Sequence, residues 1–361
     1  MRVAWVSHRD RFHPLAGGVE RSIAEIGRRL AGLGDEVHWL SIGKPAGPEE
    51  QVDHGMHLKR FGPGPLAGHV EVLRHVAKQR YDIIIDDLGH AIPWGTNWIT
   101  DRPTVAFFHH LHRRTLRGQL PPVLAFLAAG AECAYPVIYP DARFVTESRS
   151  SLEDLTSLGI RQSNVEMIPP GVDGGLFRPR TKNPRPTVVY FGGLKRYKRP
   201  GLALEAFAMF QTERPNAQMF VVGRGPVESE LRGLVTRWRL ADSVRFMGRL
   251  TDQELADLVG SAWANIHTAV AEGWCLTGFE AAAAGVPTVA CDVPGLRDSV
   301  IPGVSGLLVA HDSAADLAAA LESVTAQPSD WVARCRKYAE DYSWDTSAER
   351  WHSLLHEFES R

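Results

Sequence analysis

Short apolar runs alternate with amphipathic segments along the chain, and the alternation stops once, between Gly171 and Pro186, before starting again. Strands alternating with helix-length segments specify parallel α/β structure, so a doubled alternation specifies two such domains. Before the break, strands are predicted at Val3–Ser7, Glu36–Ser41, Tyr81–Asp86, Thr104–His109, Phe144–Thr146 and Val165–Ile168. Val19, Ile23, Ile26, Leu30 and Leu33 recur at helical spacing after the first strand, and Gly34 supplies the stop. After the break, strands are predicted at Thr187–Phe191, Met219–Val222, Val244–Met247, Ala264–His267, Thr288–Ala290 and Leu307–Val309. Between them lie amphipathic segments at Leu202–Phe210, Val227–Trp238, Glu254–Ala262 and Ala314–Val324. The break itself carries Pro179, Pro184 and Pro186 among polar residues and reads as an interdomain linker. The expected fold is α/β, with doubly wound parallel-sheet domains over residues 1–178 and 187–342 and a helix over 343–361.

A chain of 361 residues exceeds the usual size of one domain. Its net charge of −2 argues against a general nucleic-acid binder, which is normally basic. The four cysteines, Cys133, Cys275, Cys291 and Cys335, show neither CxxC spacing nor clustering. That pattern fits a reducing cytoplasm and suggests no disulfide framework or zinc site. No signal peptide is visible. The apolar stretch Pro121 to Tyr139 is broken by Glu132 and prolines, and is expected as a helix packed within the first domain rather than a membrane span.

The chemistry concentrates in Ala271-Glu272-Gly273-Trp274-Cys275-Leu276-Thr277-Gly278-Phe279-Glu280, which runs into Ala281–Ala284, Gly285 and Pro287. Ala-rich sequence favours a helix, with Gly285 a natural terminator and Pro287 unable to continue it. The loop therefore ends at a helix N-terminus, where free N–H groups and the macrodipole favour an anion. Glu272 and Glu280 bracket that phosphate site as acceptors for sugar hydroxyls. The spacing alone is weak, since a solvated Glu272 and a first-turn Glu280 would also satisfy it.

Gly17-Gly18-Val19-Glu20 opens the first helix, where glycine permits close backbone approach to a ligand, although a plain turn would also fit. Absence of GxGxxG disfavours a nicotinamide enzyme. Four cations crowd Lys195-Arg196-Tyr197-Lys198-Arg199 at the end of a predicted strand. In Phe108-His109-His110-Leu111-His112, adjacent strand residues point to opposite faces, and no Asp or Cys completes a metal set. Asp86-Asp87 reads as a strand end rather than a metal-binding pair.

The leading segment, together with Val293-Pro294-Gly295-Leu296 and Gly306-Leu307-Leu308-Val309, resembles the donor-binding segment of family-4 retaining glycosyltransferases, and the resemblance covers nearly the whole chain. It implies a GT-B architecture, two Rossmann-like domains facing each other across a cleft, with the final helix returning to the first domain. Phe191-Gly192-Gly193-Leu194-Lys195-Arg196-Tyr197-Lys198 resembles the family's Gly-Arg-Leu-x-x-x-Lys phosphate clamp, with Lys198 at the lysine position. Gly193 stands where the family usually has arginine, and Arg196 or Lys195 is the stand-in. Ile168-Pro169-Pro170-Gly171-Val172-Asp173 resembles the Pro-Asn-Gly-Val-Asp that approaches the hinge.

The resemblance implies transfer of a hexose-type sugar from a UDP-, GDP- or other nucleoside-diphosphate donor to an acceptor hydroxyl, with retention and without cofactor or metal. Lys198, Glu272 and His109 (His110 as the alternative) carry the catalytic roles. Gly17, Gly18, Arg196, Gly223, Gly248, Arg249, Gly273, Trp274, Cys275, Leu276, Thr277 and Glu280 bind the donor, with Glu280 on the ribose. Cys275 replaces a glycine of the family pattern, which would narrow the sugar pocket or change the loop's backbone angles. The implied acceptor is a glycan, a lipid-linked molecule or a natural product. Arg113, Arg114 and Arg117 beside Pro121–Leu127 read first as a solvated rim and second as a peripheral contact with an anionic membrane. Two other classes stay open: a silent nucleotide-sugar-binding protein and a GT-B nucleotide-sugar epimerase.

Overall fold

The computed structural model describes residues 1–43, 48–62, 64–90, 92–116, 121–310 and 312–358. The chain divides into two compact units, Met1–Gly171 with Trp344–Arg361, and Val172–Ser343.

The first unit holds β1 (Arg2–Ser7), β2 (Glu36–Ile42), β3 (Glu50–Asp53), β4 (Met56–Phe61), β5 (Ile83–Asp87), β6 (Thr104–Phe108), β7 (Arg143–Thr146) and β8 (Val165–Met167). They form one sheet in the order β3-β4-β2-β1-β5-β6-β7-β8. Central strands such as β5, Ile-Ile-Ile-Asp-Asp, are buried along their whole length, as a sheet covered on both faces requires. Every pairing is parallel except β3 with β4, where His54 and Gly55 turn the chain with positive φ of 48° and 86°. Both central residues of such a two-residue hairpin need that left-handed geometry. This hairpin and the helix Pro65–Lys78 were not expected from the sequence.

The C-terminal helix, Trp344–His356, belongs to the first unit and packs against the first helix, Gly18–Gly32. Trp351 is fully buried, its ring centroid 5.2 Å from Trp5 and 5.1 Å from Phe107. At its two flanks Arg29 meets Asp345, and Arg350 reaches Glu166 at 3.1 Å.

The second unit holds β9 (Thr187–Phe191), β10 (Gln218–Val222), β11 (Val244–Gly248), β12 (Ala264–His267), β13 (Thr288–Cys291) and β14 (Gly306–Val309). These are all parallel, in the order β11-β10-β9-β12-β13-β14. The order reverses between β9 and β12, where crossovers to opposite faces open a crevice at the strand carboxyl ends.

Two expectations need correction. The boundary drawn at residue 178 moves back to Gly171, because the expected linker is docked on the second unit. Phe177 is fully buried in that unit's core, and Lys182 Nζ donates to the carbonyl of Ala262 at 2.7 Å. Prolines and charges there shape a packed strap, since its apolar anchors are spaced too irregularly to read as an element. The helix Pro122–Cys133 is also not packed inward, with Val123 70% and Phe126 77% exposed. Its inward contact is polar instead, because buried Glu132 accepts from the His112 N–H and from Arg113 Nε at 2.9 Å. Arg117 lies outside the described residues.

Trp351→Ala should open a cavity between Trp5 and Phe107 and destabilise the first unit by about 3–5 kcal/mol. Denaturant unfolding followed by fluorescence tests this; a midpoint unchanged from wild type would refute the packing role.

Candidate functional site

In the second unit, the loops after β9 and β12 converge because these strands are neighbours in the sheet. The β9 loop ends in a short 3₁₀ turn, Arg196–Lys198, and Arg199 follows in left-handed conformation, φ 47°. Three bonds lash it to the β12 loop: Val270 N–H to the Tyr197 carbonyl at 3.0 Å, Thr268 Oγ1 to the Arg199 carbonyl at 2.8 Å, and Arg199 Nε to the Thr268 carbonyl at 2.7 Å. Lys198 is thereby aimed at Glu272, with Nζ 2.8 Å from Oε1. Burial alone would depress the Lys198 ammonium, but the Glu272 carboxylate outweighs it and moves its pKa upward. His267 Nε2 lies 3.6 Å from the same carboxylate oxygen. Burial pushes that imidazole down to about 4, so it is neutral near pH 7.

Two glycines let backbones meet where a side chain would not fit. A Cβ on Gly295 (φ 79°) would sit 2.0 Å from the Glu272 carbonyl. One on Gly223 (φ 126°) would sit 2.0 Å from the Gly192 carbonyl. Glu272 N–H donates to the Pro294 carbonyl at 3.1 Å, which fixes the carboxylate's backbone.

The helix Leu276–Ala283 begins at Cys275, whose Sγ accepts from the Gly278 N–H at 3.3 Å. Cys275 has φ −90°, open to any residue, so replacing glycine here imposes no backbone strain. Burial pushes its thiol up to about 12, which makes it a cap rather than a nucleophile. The N–H groups of Leu276 and Thr277 lie outside the helix's own ladder and remain for an anion. Glu280 is buried on the same helix, and Trp274 is buried with its Nε1–H lacking a hydrogen-bond partner among the described residues.

The clamp residues separate. Arg196 is exposed and pairs with Glu230 at 3.0 Å, turned to solvent rather than to Lys198. A Cβ at Gly193 would first meet the Lys195 side chain, 3.5 Å from its Cε. Lys195 therefore lies over the position where the family's arginine would begin. Gly248 (φ 65°) closes β11 beneath the Arg224 guanidinium, and Arg249 is exposed beside it.

In the first unit, Gly17 caps the first helix through its N–H, which donates to Glu20 Oε2 at 2.7 Å. Gly18 begins the helix itself. His109 follows β6 and differs from its expected role. It is 2% exposed, with Nε2 2.8 Å from Asp87 Oδ1 and Nδ1 3.1 Å from Glu147 Oε2. Burial opposes its charge, but these two carboxylates raise it to about 10, so the ring is an imidazolium donating from both nitrogens. Neither nitrogen is offered to a sugar. The backbone carbonyl of His109 accepts from Ser151 Oγ, and Ser22 Oγ donates to Glu147 at 3.3 Å. His110 is half-buried and stacks on His112 at 4.9 Å. Asp86 is wholly buried and held by Thr96 and Tyr139, separate from Asp87. Sequence reasoning missed Asp87, Glu147 and His267 as partners, because each acts through a tertiary contact that no local spacing displays.

The family described as Glycosyltransferase Family 4 matches residues 16–174, and that described as Glycosyl transferases group 1 matches residues 176–342. A D-inositol 3-phosphate glycosyltransferase from Geodermatophilus obscurus is 27% identical, over 92% of this chain and 83% of its own length. A glycogen synthase from Mycobacterium tuberculosis is 29% identical over 56% of this chain and 51% of its own. Among solved structures, sucrose-phosphate synthase from Thermosynechococcus elongatus superposes with a TM-score of 0.84 at 23% identity, covering 99% of each chain. HepE from Anabaena, in complex with UDP-glucose, superposes with a TM-score of 0.76 at 18% identity, covering 99% of this chain and 100% of its own. The fold is that of a GT-B enzyme. This chain belongs to the family-4 glycosyltransferases and is a glycosyltransferase.

The raised His109 pKa has a testable sign. Its contribution to stability is complete below the unfolded value near 6.5 and is lost as pH rises through about 10. The stability difference between wild type and His109→Gln should therefore be largest at pH 6 and shrink toward pH 10 in urea titrations. A difference that does not vary with pH would mean the ring is neutral.

Proposed function

We propose that the enzyme moves a hexose from a nucleoside-diphosphate sugar to an acceptor hydroxyl with retention and without a metal, acting in the cytoplasm. The observation that carries this reading is the Lys198–Glu272 pair, 2.8 Å apart beside the start of the Leu276–Ala283 helix. An ammonium, a helix N-terminus and a carboxylate together suit a phosphate bonded to a sugar. When the diphosphate arrives, Lys198 exchanges Glu272 for phosphate oxygen, and Glu272 is released to accept from the sugar's hydroxyls. Lys195, over Gly193, supplies the second cation in place of Arg196. Cleavage of the bond from sugar C1 to phosphate loads charge on the leaving group, which Lys198 and the Leu276 and Thr277 amides stabilise. The departing phosphate oxygen takes the acceptor's proton on the same face, so no carboxylate need act as nucleophile. Glu280 holds the ribose, while Gly223, Gly248 and Arg249 border the nucleotide and Gly273, Trp274 and Cys275 the sugar. His109 positions the β6 loop through Asp87 and Glu147, beside Gly17 and Gly18 on the first helix.

Lys198→Ala should lower kcat by ~10²-fold or more, since its contact strengthens as charge develops. Glu280→Gln should mainly raise the donor KM, because the ribose does not react. Glu272→Gln should lower kcat and weaken discrimination between donor sugars. Turnover should survive EDTA. Steady-state kinetics with calorimetric donor binding decide it: near-wild-type turnover in Lys198→Ala, or loss of turnover with EDTA restored by manganese, would overturn the roles assigned.

The exposed apolar face of Pro122–Cys133 beside Arg113 and Arg114 favours an acceptor carried at an anionic lipid surface. No helix among the described residues is long and apolar enough to cross a membrane, so the contact would be peripheral. The protein should cosediment with vesicles containing phosphatidylglycerol, and Phe126→Glu should abolish it. Equal sedimentation of wild type and variant would refute that surface.

A further inference from the structure

The first helix is capped at Leu33, and Gly34 follows in left-handed conformation, φ 102°, while the Asp35 N–H donates back to the Leu30 carbonyl at 3.0 Å. This C-terminal lock holds Asp35 rigidly at the entrance to β2. Its side chain is 1% exposed, and Oδ2 has no hydrogen-bond partner among the described residues. A buried, unsatisfied carboxylate oxygen is costly unless a ligand completes it. His352 and His356, four residues apart on the C-terminal helix, share one face, with ring centroids 4.1 Å apart. His352 Nε2 lies 3.8 Å from Asp35 Oδ2, and His356 Nε2 lies 3.1 Å from Oδ1. Oδ1 also takes the Met1 amino group at 2.9 Å, which leaves Oδ2 as the ligand atom.

We propose that Asp35, His352 and His356 form a site for a divalent cation of the zinc class, which staples the C-terminal helix to the first unit. One atom from each residue lies within 4.8 Å of the others. Bonds of about 2.0–2.1 Å in a tetrahedron place ligand atoms roughly 3.3 Å apart, so small side-chain rotations close the set. Two imidazoles and one carboxylate select zinc, cobalt or nickel over magnesium or calcium, which prefer oxygen. Both imidazoles are about a third exposed, at 32% and 30%, so solvent can supply the fourth ligand.

The site lies at the amino edge of the sheet, before β2, whereas Asp87 and His109 sit at the carboxyl ends of β5 and β6. Its role is accordingly structural. The staple would join residues more than three hundred positions apart in sequence. It would lie on the same helix that carries Trp351 into the core.

The test uses the tag-free full chain, stripped with chelator, with exposed Cys133 replaced by serine so that no surface thiol competes. Zinc at about 100 times its dissociation constant should raise the melting temperature of the first unit by roughly 5 °C or more. Cobalt should give the visible d–d absorption of a tetrahedral site. His352→Gln and His356→Gln should each remove both signals, while turnover well below the melting temperature stays unchanged. Should one variant melt early without metal, the other decides. No shift and no absorption in the parent, or signals that survive both substitutions, would overturn the proposal.

Discussion

The second unit depends on one buried ion pair. Lys198 and Glu272 lie on loops from neighbouring strands; Glu272 is buried and Lys198 mostly so, and each charge offsets the desolvation of the other. The pair explains why so much backbone bonding surrounds it. Thr268, Arg199 and Val270 hold the two loops in register, and Gly295 lets another backbone pass against Glu272. A charge pair of this kind is a poor source of net stability, because desolvation offsets most of the attraction. It is a good way to keep an ammonium preformed and aimed. In the proposed reading each partner is also a group that a phosphorylated sugar engages, so one half of the site holds the other until the donor binds.

The first unit solves a similar problem differently. Asp87, His109 and Glu147 form a buried triad in which one imidazolium answers two carboxylates. The arrangement leaves net negative charge within the triad, and Ser22 donates to part of it. Because both ring nitrogens are committed, the position offers backbone rather than ring chemistry. A histidine in such a setting fixes the ends of β5 and β6 relative to the helix that follows β7, through Ser151 on its carbonyl.

The fold was legible where burial on both faces forces long apolar runs. The interior strands β1, β5, β6, β9 and β12 are of this kind, and their predicted positions agree with the structure to within two residues. It was illegible at the sheet edge. Glu50–Asp53 is mostly polar and Met56–Phe61 mixes polar with apolar residues, and Arg60 is buried against Asp10 where a reader of hydropathy would place it outside. The helix Pro65–Lys78 opens well with Pro65 at its first position, but Gly68 in its first turn weakens the signal, and tertiary packing overrides it. At the site, Lys198 and Glu272 were legible as individual residues from motif, but their pairing was not. Arg196 shows the converse error, since a cation in the right loop still turns outward to pair with Glu230 on the helix Glu228–Arg237.

The two departures from the family pattern turn out to be unlike in kind. At Cys275 the backbone angles suit any residue, and the sulfur takes over a capping bond, so the side chain adds bulk without disturbing the helix start. At Gly193 a guanidinium is lost, and the Lys195 stem lies over the position and carries a single ammonium nearby. A guanidinium grips a phosphate through a planar fork, whereas an ammonium acts as a point charge on a flexible stem. The clamp thus keeps its charge but loses a directional contact. In the proposed reading, positioning of the diphosphate falls more heavily on the Leu276 and Thr277 amides and on Lys198 than it would in a chain with arginine at that place.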